Sequence, residues 1–147
     1  MKPDKYEELD FYVQYLRVHL KDHHFEKKND SKFITSRADK ALDTYLAEFM
    51  DGHPPFICHE KAMRTLLDGL YVSRYDVVYH IIEEDCWLRL PPEVWEAVAI
   101  HLTALPQIDR VLDKYGVNGN FLDRKRYSLL RYEILGAITE ILDGYGL

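Results

Sequence analysis

Cysteine is scarce in this chain, and its scarcity narrows the class of protein. The 147 residues include two cysteines, Cys58 and Cys86, which are too few for the disulfide framework of a small secreted domain. The opening residues MKPDKYEELDFY are charged and lack the apolar run of a secretory signal. No apolar run elsewhere approaches the roughly 20 residues that a membrane-spanning helix needs. We therefore expect a cytoplasmic protein that does not associate with membranes.

Familiar catalytic motifs are missing as well. The sequence has no glycine-rich loop for phosphates, no CxxC pair and no glycine-flanked serine elbow. We therefore predict a protein without catalytic activity and without a cofactor. The net charge of −6, from 19 basic and 25 acidic residues, argues against a surface that is basic throughout, although a local basic patch is compatible with it.

A helical period runs through most of the chain. Apolar residues recur at three- and four-residue steps, which places them on one face of a helix. Pro, Gly, Asn and Asp stand in the short connectors between these segments. One predicted helix begins beyond Pro55 and extends through Leu70, and the next begins after Ser73. The pattern predicts an all-α fold, a compact multihelical domain of about six to seven helices that forms a single domain over residues 1–147.

The segment Ser73-Arg74-Tyr75-Asp76 allows two interpretations. A serine followed three residues later by an acid is typical of a capping box at the start of a helix. A serine nucleophile would instead need a nearby base, and Ser73 is flanked by valine and arginine rather than glycine. We favour the helix cap.

Three stretches resemble a known family. They are LLDGLYVSRYDVVYHI (66–81), KYGVNGNF (114–121) and YEILGAITEILDGYGL (132–147), and the likeness spans nearly the whole chain. The sequence resembles an uncharacterised family of Bacteroidetes proteins classified as a domain of unknown function. The resemblance implies an all-helical domain, often encoded near mobile-element genes, with no established activity, cofactor or catalytic residue.

Two histidines have a spacing that can hold a metal ion. His19 and His23 are four residues apart on a predicted helix, and Cys58-His59 could complete a set of four ligands. The glutamate that follows the first histidine in zinc hydrolases is absent. We therefore predict no metal site and interpret the histidines as a surface cluster.

A basic run offers a candidate contact for phosphates. Arg124, Lys125, Arg126 and Arg131 lie at the start of the last predicted helix with no acid among residues 124–131. Such cations can bind phosphates of a nucleic acid, or they can be solvated or paired with acids of a neighbouring helix. Nucleic-acid binding is the alternative function that this run suggests.

An apolar connector offers a candidate surface for a protein partner. Trp87, Leu88 and Leu90 lie where connectors are usually polar, and Trp95 follows in the next helix. Large apolar side chains that do not pack inward mark protein interfaces, whereas inward packing would make them core residues. Acidic residues are dense from Asp76 to Glu96. The leading hypothesis is a small helical interaction or accessory module that uses this region for a protein partner or for self-association.

Overall fold

Every regular element among residues 4–147, the part of the chain that the computed structural model describes, is a helix. The α-helices are α1 (Lys5–Asp22), α2 (Ser31–Met50), α3 (Pro55–Leu66), α4 (Arg74–Asp85), α5 (Trp95–Thr103), α6 (Pro106–Lys114) and α7 (Arg124–Gly144). Short 3-10 helices, Glu26–Asn29 and Pro92–Val94, precede α2 and α5. The predicted all-α fold of six to seven helices is confirmed. Within the described range, none of the helices has both the length and the apolar character needed to cross a bilayer.

The first of two compact units ends at Leu70 and contains α1, α2 and α3. Asp4 and Asp30 cap α1 and α2, because their carboxylates accept hydrogen bonds from amides of the first turn. α2 packs against both other helices, and the three inward faces share one core. Its buried members include Tyr12, Leu16, Leu20, Ile34, Ala38, Ala41, Cys58, Ala62 and Leu66.

The second compact unit begins at Tyr71 and contains α4 to α7. α4 packs against α5 and α7, and α6 packs against α7. This unit has a core of its own, which includes Val78, Ile81, Ile82, Ala99, Leu102, Ile108, Leu112, Leu130, Ile134 and Ile138. The single domain over residues 1–147 stays a prediction.

The capping box predicted at Ser73 is confirmed. The Ser73 hydroxyl accepts from the Asp76 amide at 3.0 Å, and the Asp76 carboxylate accepts from the Ser73 amide at 3.0 Å. The next residue, Arg74, joins α4 to α6 by donating to Asp109 at 2.5 Å and to Asp113. The Ser73 hydroxyl is thus occupied at a buried helix start, as the helix-cap interpretation requires.

The ends of α3 differ from the prediction. The helix begins at Pro55 rather than beyond it, because proline needs no amide partner at the first helical position. It ends at Leu66, and Gly69 then adopts a left-handed φ of 73°. The Leu70 amide donates to the Leu67 carbonyl at 2.8 Å, and Leu70 is buried outside the helix. Because Leu70 is buried, the apolar spacing continues past Leu66, and it therefore predicted a later helix end than the structure has.

Candidate partner-binding site

The connector after α4 is an ordered turn. The Cys86 amide donates to the Ile82 carbonyl at 2.9 Å, which continues the helical bonding for one more residue. The amides of Arg89 and Leu90 both donate to the Cys86 carbonyl at 3.0 Å. These bonds close the backbone over residues 86–90. We call this segment the Trp87 turn.

Two buried residues anchor the Trp87 turn and two exposed residues form its tip. Cys86 and Leu90 are 3% and 4% exposed and belong to the core of the second unit. Burial raises the pKa of the Cys86 thiol, as expected for a thiol in apolar surroundings. Trp87 and Leu88, which lie between the anchors, are 58% and 81% exposed. The same turn that buries its ends therefore presents a tryptophan and a leucine to solvent.

Trp95 supports this turn from α5. It is half-buried, and its indole Nε1 donates to the Leu90 carbonyl at 2.9 Å. Its ring meets the Tyr79 ring edge to face at a centroid distance of 6.3 Å. Of the four residues predicted to contact a partner, Trp87 and Leu88 are thus exposed, whereas Leu90 and Trp95 hold the turn in place.

Ion pairs fix the chain on both sides of the exposed tip. Before it, Asp85 accepts from Arg131 Nε and Nη2 at 2.7 Å each, and Arg131 Nη1 lies 3.3 Å from Glu84. After it, Arg89 donates to Asp143 at 2.7 Å and to the carbonyl of Leu147. Both pairs reach α7 or the residues that follow it. The exposed tip therefore lies on a turn that ion pairs connect to the rest of the second unit on both sides.

The Arg131 pair also shifts the ionisation of its members. The Arg131 guanidinium holds the pKa of Asp85 below its ordinary value, because the two hydrogen bonds favour the carboxylate. Asp85 in turn raises the pKa of Arg131. Both groups are charged at neutral pH, and they form an ion pair with each other inside the second unit.

The predicted basic cluster is divided by this pairing. Arg124, Lys125 and Arg126 are exposed on the first turn of α7, where Asp123 caps the helix by accepting from the Arg126 amide at 2.8 Å. Arg131, one to two turns further along, donates to Asp85 as described above. Three of the four predicted phosphate contacts are thus open to solvent, and the fourth is engaged in an ion pair.

The predicted histidine cluster is close-packed but is not joined by the other suggested ligands. The rings of His19 and His23 are 4.5 Å apart between centroids, and His19 Nε2 lies 2.6 Å from the Leu70 carbonyl. A carbonyl accepts, so this nitrogen carries the proton. His59 lies against the rings of Phe11 and Tyr12 instead. Among residues 4–147, three potential ligands come together elsewhere, at Glu48, Asp51 and His53, a group that no spacing motif in the sequence indicates.

Taken together, these features define an all-helical protein with an exposed apolar turn. The chain belongs to the family described as a domain of unknown function, DUF1896, whose model matches residues 4–147. It is similar in structure to the protein PG0816 from Porphyromonas gingivalis, solved by crystallography, with a TM-score of 0.89 and 28% sequence identity over 96% of this chain and 95% of that chain. A comparison with curated proteins finds no match.

These comparisons confirm the family resemblance read from the sequence, an all-helical Bacteroidetes family of unknown function. The setting near mobile-element genes, which that resemblance implied, stays a prediction.

Proposed function

We propose that this chain is a small helical protein-interaction module without catalytic activity, and that Trp87 and Leu88 form its contact surface. A cytoplasmic location is part of the proposal, and its support comes from the sequence alone. The observation that supports the proposal is the exposure of two adjacent large apolar side chains, 58% and 81%, on a turn closed by backbone hydrogen bonds. A turn that is already ordered loses little conformational entropy when it binds.

The exposed area of Trp87 is large enough to contribute strongly to binding. An aromatic side chain buries up to about 250 Å², so the exposed fraction of 58% leaves about 145 Å² of Trp87 for a partner to cover. At roughly 25 cal/mol per Å², covering this area favours binding by about 3.5 kcal/mol before entropic costs. Interface hot spots typically cost about 2 kcal/mol or more when truncated to alanine, and tryptophan is enriched among them.

The charges near the turn indicate the chemistry of the partner. Glu83 and Glu93, on either side of the turn in sequence, are exposed, whereas Glu84 and Asp85 bind Arg131. Exposed carboxylates that lie close in the chain to an apolar tip favour a partner whose apolar pocket has basic residues near it. We therefore propose a different protein with such a pocket as the partner, rather than a second copy of this acidic surface.

The proposal is tested by capture from the native host with three tagged chains. They are the unmodified chain, the double variant Trp87→Ala with Leu88→Ala, and Phe56→Ala, which removes an aromatic ring of comparable exposure, 72%, from the first unit. We expect one protein to be retained by the unmodified chain and by Phe56→Ala and to be lost with the double variant. Equal retention by all three chains would contradict the proposed surface.

Light scattering over a range of concentrations separates self-association from binding of a different protein. A monomer that binds a captured protein through Trp87 and Leu88 supports the proposed partner. A dimer of the unmodified chain that becomes monomeric in the double variant would contradict it in favour of a second copy.

The alternative is nucleic-acid binding through the exposed cations Arg124, Lys125 and Arg126. Their adjacent placement on the first turn of α7 supports it, and the use of Arg131 by Asp85 leaves three phosphate contacts instead of four. Three contacts predict that log K falls with log salt at a slope of about −2 to −3, depending on strand number. Glutamine at all three positions should abolish this slope. Absence of binding to DNA and RNA at low salt would eliminate the alternative.

A further inference from the structure

We propose that Glu48, Asp51 and His53 form a binding site for one divalent transition-metal ion of the Zn²⁺ type. Their ligand atoms, two carboxylate oxygens and one imidazole nitrogen, all lie within 4.8 Å of one another. In residues 4–147 this is the place where three potential ligands of this kind converge. An imidazole combined with carboxylates suits Zn²⁺ and its first-row neighbours, with water completing the coordination.

The separation of two of these atoms fits a shared ion. Ligands that bind Zn²⁺ do so at about 2.0–2.2 Å, so two of them on one ion lie roughly 3–3.5 Å apart. His53 Nε2 lies 3.3 Å from Glu48 Oε2. The exposed Asp51 offers a carboxylate oxygen within 4.8 Å of both of these atoms.

The backbone at the end of α2 holds the three residues in this arrangement. The Asp51 amide donates to the Ala47 carbonyl at 3.1 Å, and the His53 amide donates back to the Glu48 carbonyl at 3.1 Å. Between them, Gly52 has a left-handed φ of 84°, the conformation that commonly ends a helix and turns the chain. A buried thiol, Cys58, donates to the His53 carbonyl at 3.4 Å. The ligands therefore converge without the ordering of a loop, which favours binding.

The electrostatics of this corner already attract a cation. The C-terminal end of a helix carries a partial negative charge, and Glu48 lies in the last turn of α2. The Lys61 ammonium lies 3.3 Å from the same Glu48 oxygen that faces His53. A metal ion would replace this ammonium, so Lys61 should compete with the metal.

The experiment is a calorimetric titration of the metal-free, untagged chain with ZnCl₂. We expect saturable binding of one ion at this site. His53→Ala and, independently, Asp51→Asn should each weaken it by more than about tenfold, because even outer-shell changes commonly cost about 10- to 100-fold. Lys61→Met should tighten binding, since it removes the competing charge and leaves all three ligands. If Glu48, Asp51 and His53 only stabilised the fold, Lys61→Met would not increase the affinity for Zn²⁺.

His80→Ala is the matched control. His80 lies 3.0 Å from Glu84, so it has a carboxylate at a similar distance, but no third ligand atom among residues 4–147 lies within 4.8 Å of both. The His80→Ala variant should bind one Zn²⁺ ion as tightly as the unmodified chain. No saturable binding by the unmodified chain would overturn the proposal. Unchanged binding in both His53→Ala and Asp51→Asn, or an equal loss in His80→Ala, would overturn it as well.

Discussion

Replacing Arg131 by methionine should destabilise the unit formed by residues 71–147, although Arg131 belongs to a basic run in the sequence. Its guanidinium donates to both oxygens of Asp85 at 2.7 Å, and its Nη1 lies 3.3 Å from Glu84. Methionine retains much of the apolar length of the side chain and removes the charge. The change leaves the Asp85 carboxylate, 18% exposed, without its guanidinium.

The magnitude lies between those of buried and exposed ion pairs. Hydrogen bonds to charged groups contribute about 1.5–3 kcal/mol, whereas ion pairs in full contact with solvent contribute about 0–1 kcal/mol. With Arg131 37% exposed and Asp85 18% exposed, solvent screens part of the attraction, and we expect a loss of about 1.5 kcal/mol at pH 7. The control is Lys125→Met, at an exposed position of the same helix, which should change the free energy of unfolding by less than about 0.5 kcal/mol.

The loss should also depend on pH. The pKa of Asp85 is lowered below its ordinary value of 3.8 in the folded chain, chiefly by the hydrogen bonds from Arg131. A carboxyl with a lowered folded pKa contributes its full stability above the unfolded pKa and loses it as the pH falls through the folded pKa. The difference between the unmodified chain and Arg131→Met should therefore be constant near neutral pH and shrink as the pH falls below 3.8.

Urea unfolding followed by tryptophan emission measures this difference. Both tryptophans, Trp87 and Trp95, lie in the unit that contains Arg131. With a urea dependence of about 1.5 kcal/mol per M, the midpoint should fall by about 1 M. A midpoint for Arg131→Met equal to that of Lys125→Met would refute the structural role of the pair. A difference that persists undiminished in acid would refute the part assigned to the Asp85 carboxylate.

Two further predictions concern the fold. Ser73→Ala removes the side-chain acceptor of the capping box and should cost about 1 kcal/mol in urea unfolding; a loss no larger than that of Ser36→Ala, an exposed serine within α2, would contradict it. Ile134→Ala opens a cavity at a side chain that is 0% exposed and should cost about 2–5 kcal/mol, against about 0.5–1.5 kcal/mol for Ile134→Val. Equal, small losses in both variants would show that Ile134 is not a core residue.

The helices could be predicted from the sequence because burial and the helical period select the same residues. Ile134 and Ile138, four apart, both face the core of the second unit. The end of α3 could not be predicted in this way. Leu70 continues the apolar spacing from Leu66, yet it is buried by the turn at Gly69 and not by another helical turn. Apolar spacing records burial, and it does not record the backbone conformation that achieves the burial.

The sequence indicated which residues belong to the candidate partner-binding site, but it did not indicate which of them are exposed. A connector has no period that assigns its residues to an inner or outer face, so the sequence could not separate Trp87 from Leu90. The partner of Arg131 is Asp85, 46 positions earlier in the chain, and no local pattern connects them. The sequence does not reveal the proposed metal site, because the left-handed turn at Gly52 brings Glu48 and His53 together, whereas helical spacing alone would separate them.

The most direct test of the Trp87 turn is ¹⁹F NMR of the chain labelled with 5-fluorotryptophan. The two tryptophans give two resonances, which Trp87→Phe assigns, and a soluble paramagnetic chelate reports how far each is open to solvent. In the isolated chain, Trp87 should broaden strongly and Trp95 weakly. Addition of the protein captured from the host should protect Trp87 and leave Trp95 unchanged. A Trp87 resonance that is already protected in the isolated chain, or that stays fully accessible in the complex, would contradict the proposed contact surface.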